Sequence, residues 1–280
     1  QRDALWNHAA AITKAADYTG LGTVEFLLGS DGTLAFIEFN ARLQVEHTVT
    51  EAVTGLDLVH LQFEIAKGGD LSALDVPAAR GMAIQARVNL ETMEPDGSAR
   101  PGGGNLTAFE PPAGPGVRVD HFGYAGYQTN PRYDSMLAKV IVHTNSDDPN
   151  IAATATARTL SEFRLEGAPS NIGFLQALLS RTEWSDYEFD VEFVEREAPV
   201  LIEAAKSVPR NYFGSSEPAA TAAQLAGAKV DNVDPLAGLV VRADVARLHL
   251  LPLLEVLLLL LAHEVAVLEA RTLQRSAHQC

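Results

Sequence analysis

Carboxylate, amide and guanidinium side chains alternate with other residues along one short stretch of this sequence. The stretch follows an apolar run that begins at Phe36, and its alternating residues are Glu38, Asn40, Arg42, Gln44 and Glu46. Alternate residues of an extended chain share one face, so these side chains would point the same way if the strand continued. Carboxylate and amide oxygens suit a hard divalent cation, and a guanidinium suits an oxyanion. The pattern therefore indicates a site rather than an ordinary strand surface.

A β-hairpin is predicted to present these groups. Residues 23–28 are β-branched and apolar, residues 29–32 have turn composition, and residues 33–40 form the return strand. The two strands can bring Glu25 beside Glu38. Helices are predicted on either side of the hairpin, over residues 2–16 and 50–66.

The second part of the chain has the order of an α+β module. Four strands are predicted, followed by two helices, and a Gly- and Pro-rich loop at 95–105 lies among the strands. The predicted strands are 82–90, 106–109, 117–119 and 137–142, and the predicted helices are 149–165 and 171–179. With a boundary near 70–80, we expect three segments, which are 1–70, 71–205 and 206–280.

Residues 206–280 have the composition of a linker and a low-complexity, Leu-rich tail. The most apolar part, 248–262, is interrupted by Pro252 and Glu255 and is short for a membrane span. We therefore expect a poorly folded tail and no membrane association. A partner-binding or membrane helix is the alternative.

Composition narrows the class of protein. The chain has 280 residues, 47% of them hydrophobic, and a net charge of −15, which argues against general affinity for nucleic acid or anionic membranes. The single cysteine, Cys280, excludes an internal disulfide and a thiolate metal site. No signal peptide is visible, so a cytoplasmic protein is expected. The chain does not begin with Met, which suggests a fragment.

Three separated blocks of the sequence resemble the biotin carboxylases of the ATP-grasp superfamily. The first block is Glu25 with residues 38–47, and the resemblance extends over about residues 1–187. The later blocks are 116–120, 124–126 and 133–136, then 160–167 with Asn171. Residues 81–142 look most like single-chain, multidomain acyl-CoA carboxylases. The resemblance implies the C-terminal half of an ATP-grasp domain, followed by a biotin carboxylase C-terminal α+β domain.

The resemblance also implies a reaction, the carboxylation of biotin by ATP and bicarbonate. Magnesium (or manganese) would be held by Glu25, Glu38 and Asn40. The ATP-binding residues would be Leu27, which lines the adenine pocket, together with Glu25 and Glu38. ATP and the metal are therefore implied cofactors, with biotin carried on a separate biotinyl domain.

Further roles follow from matching the family's motifs. Bicarbonate would contact Arg42, Gln44 and the backbone of Val45, and Glu46 would be the base that deprotonates it. Arg118 would stabilise the biotin enolate, which makes the implied catalytic residues Glu46, Arg42 and Arg118. His47 is expected to hold the loop through a hydrogen bond rather than to transfer protons.

Partners are implied in the same way. They are a biotinyl carrier domain, a carboxyltransferase and, in the complete enzyme, a second copy in a homodimer. The lysines and the lid that grip ATP in this family have no counterpart in the chain, so we expect the isolated chain to be inactive. Two alternatives stay open: an inactive remnant or interaction module, and another ATP-grasp ligase such as a carbamoyl-phosphate synthase large chain.

Overall fold

A helix packed against a β-hairpin opens the computed structural model, which describes residues 2–29, 31–71, 73–184 and 190–212. The helix α1 is Arg2–Ala15, and the antiparallel strands β1 and β2 are Thr23–Leu28 and Leu34–Asn40. Trp6 of α1 is buried against Val24 of β1. The predicted hairpin is therefore confirmed.

Two helices follow the hairpin where the sequence predicted one. They are α2 (His47–Thr54) and α3 (Leu58–Ala66). Gly55 ends α2 in the left-handed region at φ +75°, and Asp57 caps α3 by accepting a hydrogen bond from the backbone N–H of His60 at 2.7 Å. The single helix is therefore wrong, because a glycine C-cap and an aspartate N-cap in succession separate the two.

A three-stranded antiparallel sheet forms the centre of the second part. Its order is β3–β8–β7, with strands Met82–Asn89 (β3), Met136–Thr144 (β8) and Val117–His121 (β7). Helices α4 (Pro149–Ser161), α5 (Ile172–Leu179) and α6 (Phe193–Ala205) contribute to the main apolar core on one face. Helix α2 packs against the other face, where Val49 and Val53 meet Ala83.

Both faces of the sheet are therefore covered. Strand β3 shows this in its burial, since Ala83, Ile84, Gln85 and Ala86 are all buried. The polar side chains on the α2 face consequently meet protein rather than water.

Several short strands and two helices differ from the sequence predictions. Strand β4 (Glu91–Met93) pairs with β5 (Ala99–Pro101), and β6 (Ala108–Glu110) pairs with β9 (Arg164–Glu166). The segment 95–105 is thus not entirely loop. The fourth helix ends at Ser161 rather than at 165, because the chain then extends to pair with β6. Helix α6 and the 3-10 turn Thr182–Trp184 were not predicted.

The α+β class is confirmed. None of the helices in the described residues has the length and apolar character needed to cross a bilayer. The predictions for 213–280, including the Leu-rich segment, lie outside the described residues.

Candidate functional site

Two carboxylates face each other across the hairpin. Glu25 and Glu38 are direct partners in the β1–β2 register. The side-chain N–H group of Asn40 donates to Glu25 Oε1 at 2.8 Å and to Glu38 Oε1 at 2.7 Å, and Gln44 Nε2 donates to Glu25 Oε1 at 3.2 Å. Burial raises the pKa of Glu25, and the charge of Glu38 raises it further, against the hydrogen bonds of Gln44 and Asn40. The hairpin thus gathers negative charge at one point.

The chemistry of this cluster fits a hard divalent cation. An amide N–H group bridges the two carboxylates, and rotation of the amide would exchange its nitrogen for an oxygen. Two carboxylates and an amide oxygen form a ligand set suited to Mg²⁺, which takes its remaining ligands from water or phosphate. Within the described part of the chain, no group of three His, Cys, Asp or Glu side chains is arranged for a metal. The predicted residues Glu25, Glu38 and Asn40 are nevertheless together.

The chain turns immediately after the hairpin, where the return strand was predicted to end, so the residues from Arg42 to Glu46 do not continue its extended face. Strand β2 ends at Asn40, and the N–H of Arg42 donates to the carbonyl of Asn40 at 2.8 Å. The Arg42 guanidinium stays beside the cluster, 3.4 Å from Asn40 Oδ1. His47 Nδ1 lies 2.7 Å from the carbonyl of Gln44, as a hydrogen bond that holds the loop requires. The turn, and not a continuous strand, places Arg42 and Gln44 near the carboxylates.

Glu46 faces the sheet of the second part. Its Oε1 forms an ion pair with the guanidinium of Arg87 on β3, and the two side chains are only 18% and 13% exposed. Its other oxygen, Oε2, is buried and has no hydrogen-bond partner among the described residues. Two residues after Glu46 and two residues before Arg87, the buried hydroxyl of Thr48 donates to Gln85 Oε1. The candidate base is thus held against β3 at two successive points.

Arg87 was not predicted as a site residue. It lies in a predicted strand whose alternate positions, Gln85 and Arg87, are polar between the apolar Ile84, Ala86 and Val88. A polar face on a strand whose sheet is covered on both sides is the signal that could have identified it.

A row of charged side chains crosses the sheet next to Arg87. Arg87, Lys139 and Asp120 are register partners on β3, β8 and β7. The ammonium group of Lys139 donates to the carbonyl of Val45 at 3.2 Å and lies 3.4 Å from Asp120 Oδ2. Burial lowers the pKa of Lys139, against the opposing charge of Asp120. The second part of the chain therefore contacts two consecutive residues of the loop, Val45 and Glu46.

Arg118 lies at the other end of this charged network. It donates two hydrogen bonds to Asp120, at 2.8 and 3.0 Å, and one to Glu51 Oε2 at 2.7 Å. The bond to Asp120 raises the pKa of Arg118, assisted by Glu51 and opposed by burial. Arg118 lines an open groove of about 660 Å³ between the α2–α3 connection and strands β7 and β8. Arg87, not Arg118, is the guanidinium seen beside Glu46.

Leu27 lies on the same strand as the carboxylate cluster. It is two residues beyond Glu25 and 46% exposed, and its exposed apolar neighbours are Leu28, Phe36 and Ile37. The hairpin therefore offers apolar surface next to its charged end.

Two family models match successive parts of the chain. The Carbamoyl-phosphate synthase L chain, ATP binding domain, matches residues 1–74, and the Biotin carboxylase C-terminal domain matches residues 85–196. The Glu25–Glu38 cluster falls in the first match, and Arg87, Arg118 and Lys139 fall in the second.

Relatives share about two-fifths of the aligned residues. The chain is 40% identical over 195 residues to the biotin carboxylase of Nostoc sp., covering 69% of this chain and 43% of that protein. It is 43% identical over 180 residues to the biotin-dependent acyl-coenzyme A carboxylase alpha3 subunit of Mycobacterium leprae, covering 64% and 29%. Human mitochondrial pyruvate carboxylase is 40% identical over 207 residues, covering 72% and 17%. The chain thus spans less than half the length of each of these relatives.

Solved structures agree in fold. The biotin carboxylase domain of a single-chain bacterial carboxylase matches with a TM-score of 0.67 and 40% identity, over 73% of this chain and 47% of that one. The biotin carboxylase domain of Hydrogenobacter thermophilus 2-oxoglutarate carboxylase, solved with MgADP, ADP and bicarbonate, matches with a TM-score of 0.62 and 32% identity, over 68% and 41%. With both family models matched in sequence order, the chain belongs to the biotin carboxylases of the ATP-grasp superfamily and corresponds to their C-terminal portion.

Proposed function

We propose that this chain carries the metal, bicarbonate and biotin half of a site that carboxylates biotin with ATP and bicarbonate, as a component of an acyl-CoA carboxylase. One observation carries the proposal. A single turn of chain from Asn40 to Glu46 joins the carboxylate cluster of the hairpin to the Glu46–Arg87 ion pair. These seven residues therefore connect the metal-binding group to an anion-binding arginine, Arg42, and to the partly buried carboxylate of Glu46.

The hairpin end of the turn would bind the nucleotide's metal. Mg²⁺ or Mn²⁺ held by Glu25, Glu38 and Asn40 would neutralise charge on the ATP phosphates. Leu27 supplies apolar surface on the same strand for the adenine ring. Glu25 and Glu38 thus serve ATP binding through the metal.

The turn itself would bind bicarbonate. The Arg42 guanidinium stands at the edge of the cluster, where a planar fork can bind a planar oxyanion in two hydrogen bonds. The Gln44 side chain and the Val45 backbone lie next in the chain and would complete the contacts. Bicarbonate would then sit between the metal-binding group and Glu46.

Glu46 is suited to act as the base. Arg87 keeps its carboxylate paired, and Oε2 is a buried acceptor without a partner among the residues described. A proton leaving the bicarbonate hydroxyl would pass to the Glu46 carboxylate, which leaves the bicarbonate oxygen free to attack phosphorus. The role of Arg118 toward the biotin enolate stays a prediction. Arg87, which lies beside the base, is a second candidate for that role.

The wider assignments are part of the same proposal. We expect segments 1–70, 71–205 and 206–280, a cytoplasmic location, a biotinyl carrier domain and carboxyltransferase as partners, and a homodimer of the complete enzyme. The family matches at 1–74 and 85–196 support the first two segments. The purified chain should show no appreciable activity, because half of an ATP site cannot position the nucleotide. Bicarbonate-dependent ATP cleavage stimulated by free biotin would overturn that expectation.

Metal binding tests the proposal without requiring turnover. Free Mn²⁺ can be titrated by electron paramagnetic resonance against the 280-residue protein and its Glu38→Gln variant. We expect the variant to bind Mn²⁺ at least tenfold more weakly, because one of two carboxylate ligands is removed. Glu64→Gln is the matched control, since Glu64 is partly exposed on α3 and pairs with Lys67. Equal binding by Glu38→Gln and the wild type would refute the metal assignment.

A further inference from the structure

Two neighbouring cations on the sheet hold two consecutive residues of the bicarbonate loop. Arg87 pairs with the side chain of Glu46, and Lys139 donates to the backbone carbonyl of Val45 at 3.2 Å. The two cations are direct partners in the β3–β8 register. Neighbouring residues of β3 and β8 thus hold both a side chain and a backbone carbonyl of the loop.

The surroundings of Lys139 favour this single position. Its side chain is 12% exposed, Arg87 is its neighbour on one side, and Asp120 lies 3.4 Å away on the other. The positive charge of Arg87 is balanced by Glu46, and that of Lys139 by Asp120. An ammonium group in such a place is more constrained than a lysine on the surface, where several rotamers are open to it.

We propose that Lys139 is a positioning residue for the bicarbonate loop, which acts by holding the Val45 carbonyl so that the Val45 backbone and the Glu46 carboxylate keep their places. This inference rests on the proposed function for its bicarbonate consequence. Lys139 donates this hydrogen bond from a charged ammonium group. Such a bond, shielded from water, shifts the equilibrium between the ordered and the loosened loop by roughly tenfold or more. Losing it frees a backbone carbonyl within the segment that joins the hairpin to α2.

Hydrogen exchange and bicarbonate binding together test the proposal on the full 280-residue protein. Reporter amides are those of Arg42, His47 and Val49, which donate to carbonyls at 2.8, 3.3 and 3.0 Å in the turn and the first turn of α2. The reference amide is that of Leu175 in α5, which lies on the opposite side of the sheet. The ligand probe is ¹³C-labelled bicarbonate observed by NMR.

In Lys139→Met we expect the loop reporters to exchange about tenfold faster, with Leu175 unchanged, and the bicarbonate affinity to fall about tenfold. Lys67→Met is the matched control, because Lys67 is 68% exposed and pairs with Glu64 of α3; it should change neither value. If Lys139→Met does not fold, Lys139→Gln replaces it under the same criteria.

Three results would overturn the proposal. The first is an unchanged exchange rate of the loop amides in Lys139→Met. The second is an equal rise in the exchange rates of the loop amides and of Leu175, which would indicate a general structural role. The third is faster exchange of the loop amides with unchanged bicarbonate affinity. A wild-type protein that binds no bicarbonate would instead refute the proposed function. The exchange data alone would then decide whether Lys139 positions the loop.

Discussion

Replacing Arg87 with Met should destabilise the protein through the carboxylate that it leaves behind. Glu46 is 18% exposed and its Oε2 already lacks a partner in the described structure, so removal of the guanidinium leaves a buried charge uncompensated. Breaking such a pair from one side costs about 3–5 kcal/mol. We therefore expect a loss of about 3 kcal/mol.

Urea unfolding followed by circular dichroism measures this loss. The double variant Glu46→Gln with Arg87→Met should recover part of the loss, because no charge then remains. Arg158→Met is the control, since Arg158 is 78% exposed and its pair with Glu162 should contribute less than about 0.5 kcal/mol. A loss below about 1 kcal/mol, or strictly additive single variants, would refute the reasoning.

Two further predictions concern the sheet and its turns. Burial raises the pKa of Asp120, but the hydrogen bond and charge of Arg118, together with Lys139, outweigh burial and lower that pKa overall. The ionised Asp120 carboxylate should therefore stabilise the fold above about pH 4, and this stabilisation should be lost as the pH falls further. The difference in unfolding free energy between wild type and Asp120→Asn should therefore narrow as pH falls from 5 to 3, and a constant difference would contradict this. Gly167→Ala should lose about 2 kcal/mol or more, because Gly167 has φ +96° and an added Cβ would overlap the Asn105 carbonyl. Gly55→Ala, at φ +75° with open space around it, should lose only about 1 kcal/mol in the same urea titration.

Local patterns were sufficient for the elements whose partners are close in sequence. The hairpin was predicted because its turn residues and both strands lie within residues 23–40. Strand β9 was not, because Arg164–Glu166 becomes a strand only by pairing with Ala108–Glu110, more than fifty residues earlier. The predicted helix simply continued into it. The predicted helix over 50–66 is divided for a different reason, because Gly55 ends one helix and Asp57 caps the next within three residues.

The site shows the same dependence on distance along the chain. Glu25, Glu38 and Asn40 were predicted together, and the hairpin register brings them together. Arg87 was missed because its partner Glu46 is 41 residues away in another segment. The return strand ends at Asn40 as predicted, but alternation alone cannot reveal the turn that follows, whose residues contact Glu25 and β3.

Two ion pairs described between the first and second parts of the chain both take their acid from the first part and their base from the second. Glu46 and Glu51 meet Arg87 and Arg118 in this way. Ionic strength screens exposed pairs more than buried ones, and Arg118 is 47% exposed while Arg87 is 13% exposed. Added salt would therefore weaken the Glu51–Arg118 pair, which lines the groove, before the Glu46–Arg87 pair. The Glu46–Arg87 pair would be weakened less, so salt would loosen the contact between the two parts of the chain unevenly rather than all at once.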